Sequence, residues 1–137
     1  MRPRALATVL IAILAPIGFA EGGLKASKPQ LDLRASPRYS FSPVEVRVVA
    51  EIVGGDDLED YHCPQVEWNW GDGARSVHEE DCSPYEPGAE IQRRFTASHV
   101  FRSGGAYSIT VRLRRASRSI AQASATVDVR AGLGAVR

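Results

Sequence analysis

The chain has 137 residues with 17 Lys and Arg against 16 Asp and Glu, for a formal net charge of +1. That length allows one ordinary domain, and the near-neutral balance gives no electrostatic reason to expect a nucleic acid or an anionic membrane as partner. The bias toward Arg and Ala points to a GC-rich bacterial source.

Arg2 and Arg4 are followed from Ala5 to Ala20 by an uncharged stretch dominated by Ala, Val, Leu and Ile. Gly18 and Ala20 put small residues at −3 and −1 of a cut before Glu21, so residues 1–20 read as a secretory signal peptide. The rival, an uncleaved membrane anchor, needs about 20 apolar residues, and this run is shorter and broken by Pro16 and Gly18. Cleavage leaves 117 residues. Loss of the two leader arginines takes the basic total to 15 against 16 acidic, a net charge of −1. The expected location is the periplasm or the medium, with no membrane insertion after cleavage.

Residues 21–30 carry Gly, Lys, Ser and Pro without apolar period and read as a flexible lead-in. From Leu31 the period is two, the mark of strands. Leu31 and Leu33 open the first. Val44, Val46, Val48, Ala50 and Ile52 share one parity, with Glu45, Arg47 and Glu51 on the other. Val66, Trp68 and Trp70 form the next inward row, with Glu67 and Asn69 outward. Ile91, Phe95 and Ala97 form another, interrupted by Arg93. Tyr107, Ile109, Val111 and Leu113 follow, and then Ala123, Ala125, Val127 and Val129. About seven strands, each wet on one face and separated by Gly, Pro and Asp turns, describe an all-β two-sheet sandwich over residues 31–130, with residues 131–137 as a tail.

Two cysteines in an exported chain are expected to pair. The alternatives are buried free thiols, or a zinc site using His62 or His78, which lacks a four-ligand set. A register argument favours the pair. With Asp72-Gly73 as a two-residue hairpin turn, Gly71 faces Ala74, Trp68 faces Val77, Glu67 faces His78 and Cys63 faces Cys82. A Cys63–Cys82 bond would also gather Asp56, Asp57, Glu59 and Asp60 with Glu79, Glu80 and Asp81 at one end. Asp56, Asp57, Glu79, Glu80 and Asp81 are then the candidate calcium ligands, although no EF-hand-like spacing is present and solvated charge runs are the ordinary reading.

Three short motifs carry a family resemblance: Trp68-Asn69-Trp70-Gly71-Asp72-Gly73, then His99-Val100-Phe101, then Gly105-Ala106-Tyr107-Ser108-Ile109-Thr110-Val111. In this order and spacing they resemble the PKD domain family. Asn69 stands where that family usually has Asp, and Phe101 where it usually has Tyr. The resemblance implies an immunoglobulin-like sandwich of extracellular proteins, used as a spacer or a binding module. The equal parity of Trp68 and Trp70 places both rings in the core; a sugar-stacking platform would need them exposed. His99 stands without a nucleophile motif and reads as a hydrogen-bonded structural residue.

No Gly-x-Ser-x-Gly, His-Glu-x-x-His or phosphate-cradling glycine loop is present. The expected function is a non-catalytic module that contacts a protein or a glycan outside the cytoplasm, without a cofactor. A calcium-stabilised adhesion module and a small secreted hydrolase using two loop carboxylates are the alternatives. An enzyme inhibitor inserting the loop from Asp81 to Gly88 is a variant. Arg93, Arg94, Arg112, Arg114, Arg115, Arg118 and Arg130 make a basic flank, which with the acidic end could dock a charged partner or stack like molecules head to tail, or, more plainly, guard sheet edges from aggregation.

Overall fold

The computed structural model describes residues 28–132, together with Ala12 and Gly18. The expected signal peptide, nearly all of the lead-in and most of the tail lie outside the described residues. Eight strands alternate along the chain: β1 (Gln30–Ser36), β2 (Tyr39–Phe41), β3 (Val44–Val53), β4 (Gln65–Asn69), β5 (Arg75–His78), β6 (Arg94–Phe101), β7 (Gly105–Arg115) and β8 (Arg118–Arg130). One turn of 3₁₀ helix, Glu59–Tyr61, interrupts the β3–β4 connection. Among the described residues no helix is long and apolar enough to cross a membrane.

The strands form two sheets in the orders β1-β3-β6 and β2-β8-β7-β4-β5. Every pairing is antiparallel except β2 with β8. Alternation along each strand turns one row of apolar side chains toward the other sheet. Val46, Val48, Ala50 and Ile52 from β3 meet Ile109, Val111 and Leu113 from β7 and Val127 and Val129 from β8, all essentially sealed from water. The inward rows expected on the strands now numbered β3, β4, β7 and β8 are the rows observed.

Three local expectations need correction. The β4–β5 hairpin pairs Glu67 with Val77 and Trp68 with Ser76, one residue away from the expected register. The turn is Gly71-Asp72-Gly73, three residues closed by Trp70 N–H donating to Ala74 C=O at 3.1 Å. Both glycines have positive φ, +80° and +94°, which a two-residue turn on Asp72-Gly73 would not ask of Gly71.

Second, β6 begins at Arg94, so Ile91 and Arg93 precede it. Ile91 still packs against the core, and Arg93 interrupts nothing. Its guanidinium donates to the carbonyls of Ile52 and Gly54, binding the strand's approach to the end of β3.

Third, Glu67 is on the outward face of β4 as parity requires, yet only 7% exposed. Arg75 on β5 and Arg114 on β7 each bond one of its carboxylate oxygens. The Arg75 head stays largely in water, whereas Arg114 is more deeply set, its Nε buried without a hydrogen-bond partner among the described residues.

Candidate functional site

The three motifs meet at one end of the sandwich and build a single aromatic stack. Trp68 and Trp70 leave β4 on the same side and stack at 5.9 Å between centroids. Trp70 lies face to face with the His99 imidazole at 4.8 Å, His99 meets Phe101 edge-on at 4.9 Å, and Phe101 stacks on Tyr107 at 4.4 Å. His99 belongs to the inward row of β6 with Phe95, Ala97 and Phe101. Offset and edge-to-face contacts of this kind add to the burial energy of the rings themselves.

Polar atoms of Trp70, His99 and Tyr107 anchor the stack to the surrounding chain. The Trp70 indole N–H donates to Ser76 Oγ at 2.9 Å. The Tyr107 hydroxyl donates to the Ser103 carbonyl at 2.6 Å, clamping the turn between β6 and β7. Phe101, fully buried, has no hydroxyl to satisfy.

Asp72 ties the turn to the stack. Its Oδ1 accepts the Ala74 N–H at 3.0 Å, and its Oδ2 lies 2.6 Å from His99 Nε2. Burial by itself raises the Asp72 carboxyl, but the bond to His99, the Ala74 amide and the attraction of the imidazole outweigh it. The net pKa lies below the ordinary aspartate value. Asn69 Oδ1 accepts the Gly71 N–H at 3.1 Å, so an amide oxygen performs the acceptor role at this motif position.

The motif glycines are small for stated reasons. A Cβ on Gly71 would stand 2.6 Å from the backbone oxygen of Ser108 on β7, a contact real side chains do not make. A Cβ on Gly105 would press the Tyr107 ring at 3.0 Å, so Gly105 is the seat for that ring two residues on.

At the other end of β4 the cysteines are joined, Cys63 to Cys82, with Cα atoms 6.2 Å apart. The pairing is the one expected, but the register argument for it does not hold. Continued outward, the observed ladder would set Cys63 opposite Asp81. Instead, both cysteines lie beyond the strands, and Cys63 turns out of the extended region to φ +48°. A cleft of about 240 Å³ opens beneath the bond, floored by Val66, Trp68 and Phe95 and rimmed by His78, Glu80 and Arg94.

The candidate calcium ligands are not gathered. Asp57 Oδ1 accepts the Glu59 N–H, Glu79 accepts from Gln65, and Glu80 faces His78. Among the described residues no group of three His, Cys, Asp or Glu side chains could hold one ion. His62, considered for zinc, bonds the Ser83 carbonyl and meets Tyr85 edge-on. Much of the arginine flank is also engaged within the fold: Arg112 with Gln122, Arg114 with Glu67, and Arg115 with Asp60.

No family model and no curated protein matches the chain. Among solved structures it is similar to the PKD domain of an M14-like peptidase from the archaeon Thermoplasmatales archaeon SCGC AB-540-F20. The two are 15% identical with a TM-score of 0.49, over 77% of this chain and 99% of that one. The fold of this chain is an all-β sandwich of two sheets.

Proposed function

We propose that this chain is an exported, non-catalytic PKD-like module that works by binding a protein or a glycan outside the cytoplasm. The observation that carries the reading is the use made of the motif residues. Trp68, Trp70, His99, Phe101 and Tyr107 are consumed in one internal stack, with Trp68 and Trp70 at 2% and 1% exposure. His99, the side chain best suited to acid–base work, spends Nε2 on Asp72 and a ring face on Trp70. A general base must reach a substrate proton within hydrogen-bond distance; His99 holds the turn in place instead. The disulfide supports an oxidising compartment.

The test has two parts. Mass spectrometry of the full chain produced in a bacterium should find a species beginning at Glu21 outside the cytoplasm, carrying an oxidised cysteine pair. Immobilised on a support, that species should capture an envelope protein or a polysaccharide saturably and lose the capture on thermal unfolding. An intact, reduced chain confined to the cytoplasm would contradict export, and the lack of any saturable capture would contradict the binding role.

A further inference from the structure

The described arginines and aromatics are mostly spent internally, and one patch departs from that pattern. Strand β2 is the edge of the five-stranded sheet, held on β8 by Asp128 N–H to Arg38 C=O at 2.7 Å and Ser42 N–H to Arg130 C=O at 2.8 Å. Ser40 faces inward, so Tyr39 and Phe41 both point out, at 77% and 64% exposure. Their register partners are Asp128 and Arg130, on the same outward face. The four side chains border a shallow depression of about 210 Å³. Among the described residues none of the four side chains has a hydrogen bond, ion pair or ring contact within the chain.

We infer that this patch is a saccharide subsite for a neutral glycan lying across β2, a proposal that rests on the binding-module reading above. Two exposed rings on an anchored strand offer apolar faces to the C–H faces of sugar rings. Beside them a carboxylate accepts and a guanidinium donates, the complement of a run of hydroxyl groups. The pairing of signs selects against ions: Arg130 opposes a cation, and Asp128 opposes an anion. Size selects against a protein face, since a stable protein interface takes about 20–30 residues a side and this patch is one short strand and its neighbour. The backbone bonds on either flank of β2 fix the platform before a ligand arrives, which lowers the ordering cost of binding.

Affinity electrophoresis of the exported, processed chain through native gels containing hydroxyethylcellulose, soluble starch or laminarin tests the site, with polygalacturonate as the acidic control. The chain should be slowed by at least one neutral polymer. Tyr39→Ala/Phe41→Ala should weaken that retardation about tenfold, a loss of about 1.4 kcal/mol, while leaving the melting temperature in place. Asp128→Asn should weaken it with the rings intact. Retardation by none of the neutral polymers, or by polygalacturonate alone, would overturn the neutral-glycan subsite. Retardation untouched by the double variant would overturn the location and leave the module reading standing.

Discussion

At the residue scale, His99 and Asp72 join a strand to a turn 27 positions away in sequence, and the bond sets a pH dependence. The folded carboxyl of Asp72 ionises below its ordinary value. Its contribution is therefore present above the unfolded aspartate pKa of about 3.9 and is lost as pH falls through the lower folded value. Asp72→Asn should lower the urea midpoint at neutral pH, and the gap to the parent should close progressively in acid. Parallel curves at every pH would contradict the assignment. Gly71 and Gly73 share a positive φ, but only Gly71 is pressed against a neighbouring backbone. Gly73→Ala should cost about 1 kcal/mol for the backbone alone, and Gly71→Ala should cost distinctly more, as read from urea unfolding. The motif singles out Gly71 in the sequence, but the reason for it was not legible there. Asp-Gly is a favoured two-residue turn in isolation, and nothing local reveals that β7 runs against the preceding residue.

At the element scale, parity read the strands well because each has one dry face. Val44 to Ile52, Tyr107 to Leu113 and Ala123 to Val129 alternate with Val49 as the exception, and period two leaves little choice of face. What parity cannot give is how neighbouring strands cover an outward residue. Glu67 is buried because Arg75 and Arg114 arrive from β5 and β7 on either side, and that depends on strand order. Glu67→Gln should replace the charge-assisted bonds from two partly exposed guanidinium groups with weaker neutral ones and destabilise by roughly 1 to 2 kcal/mol, measurable in chemical denaturation. A change below the error of the measurement would show the cluster to be a surface ornament. The disulfide shows the reverse case, a correct pairing from a wrong register. Compartment and cysteine number were sound grounds, whereas the ladder that was to align the cysteines ends before reaching either of them. Cys63→Ser/Cys82→Ser should lower stability by about 3 kcal/mol through the freed loop, and an unchanged melting temperature would contradict that.

At the scale of the molecule, the strands close two sheets on one core, and the three motifs act as a clasp across it. Trp70 directly follows β4 of the five-stranded sheet, while His99 and Phe101 belong to the three-stranded one. The stack is therefore an inter-sheet contact, and its loss should loosen the sandwich as a whole. The sheet edges carry the remaining character of the surface. Strand β5 is exposed along its whole length and presents Arg75 and His78, and β2 is only three residues long between Pro37 and Pro43. Short, charged or proline-flanked edges resist pairing with other chains. The fold class was legible because it depends on one-dimensional patterns repeated in every strand. The β2 patch was not, because Tyr39 and Phe41 carry no motif and gain meaning only beside Asp128 and Arg130. The central claim, that the motif residues clasp the sheets from inside, is tested most directly by acrylamide quenching of the two tryptophans, the full complement of the chain. A clasp predicts blue-shifted emission with weak quenching in the native protein, and red-shifted, strongly quenched emission only after cooperative unfolding. Free quenching of the indoles in the native state would contradict it.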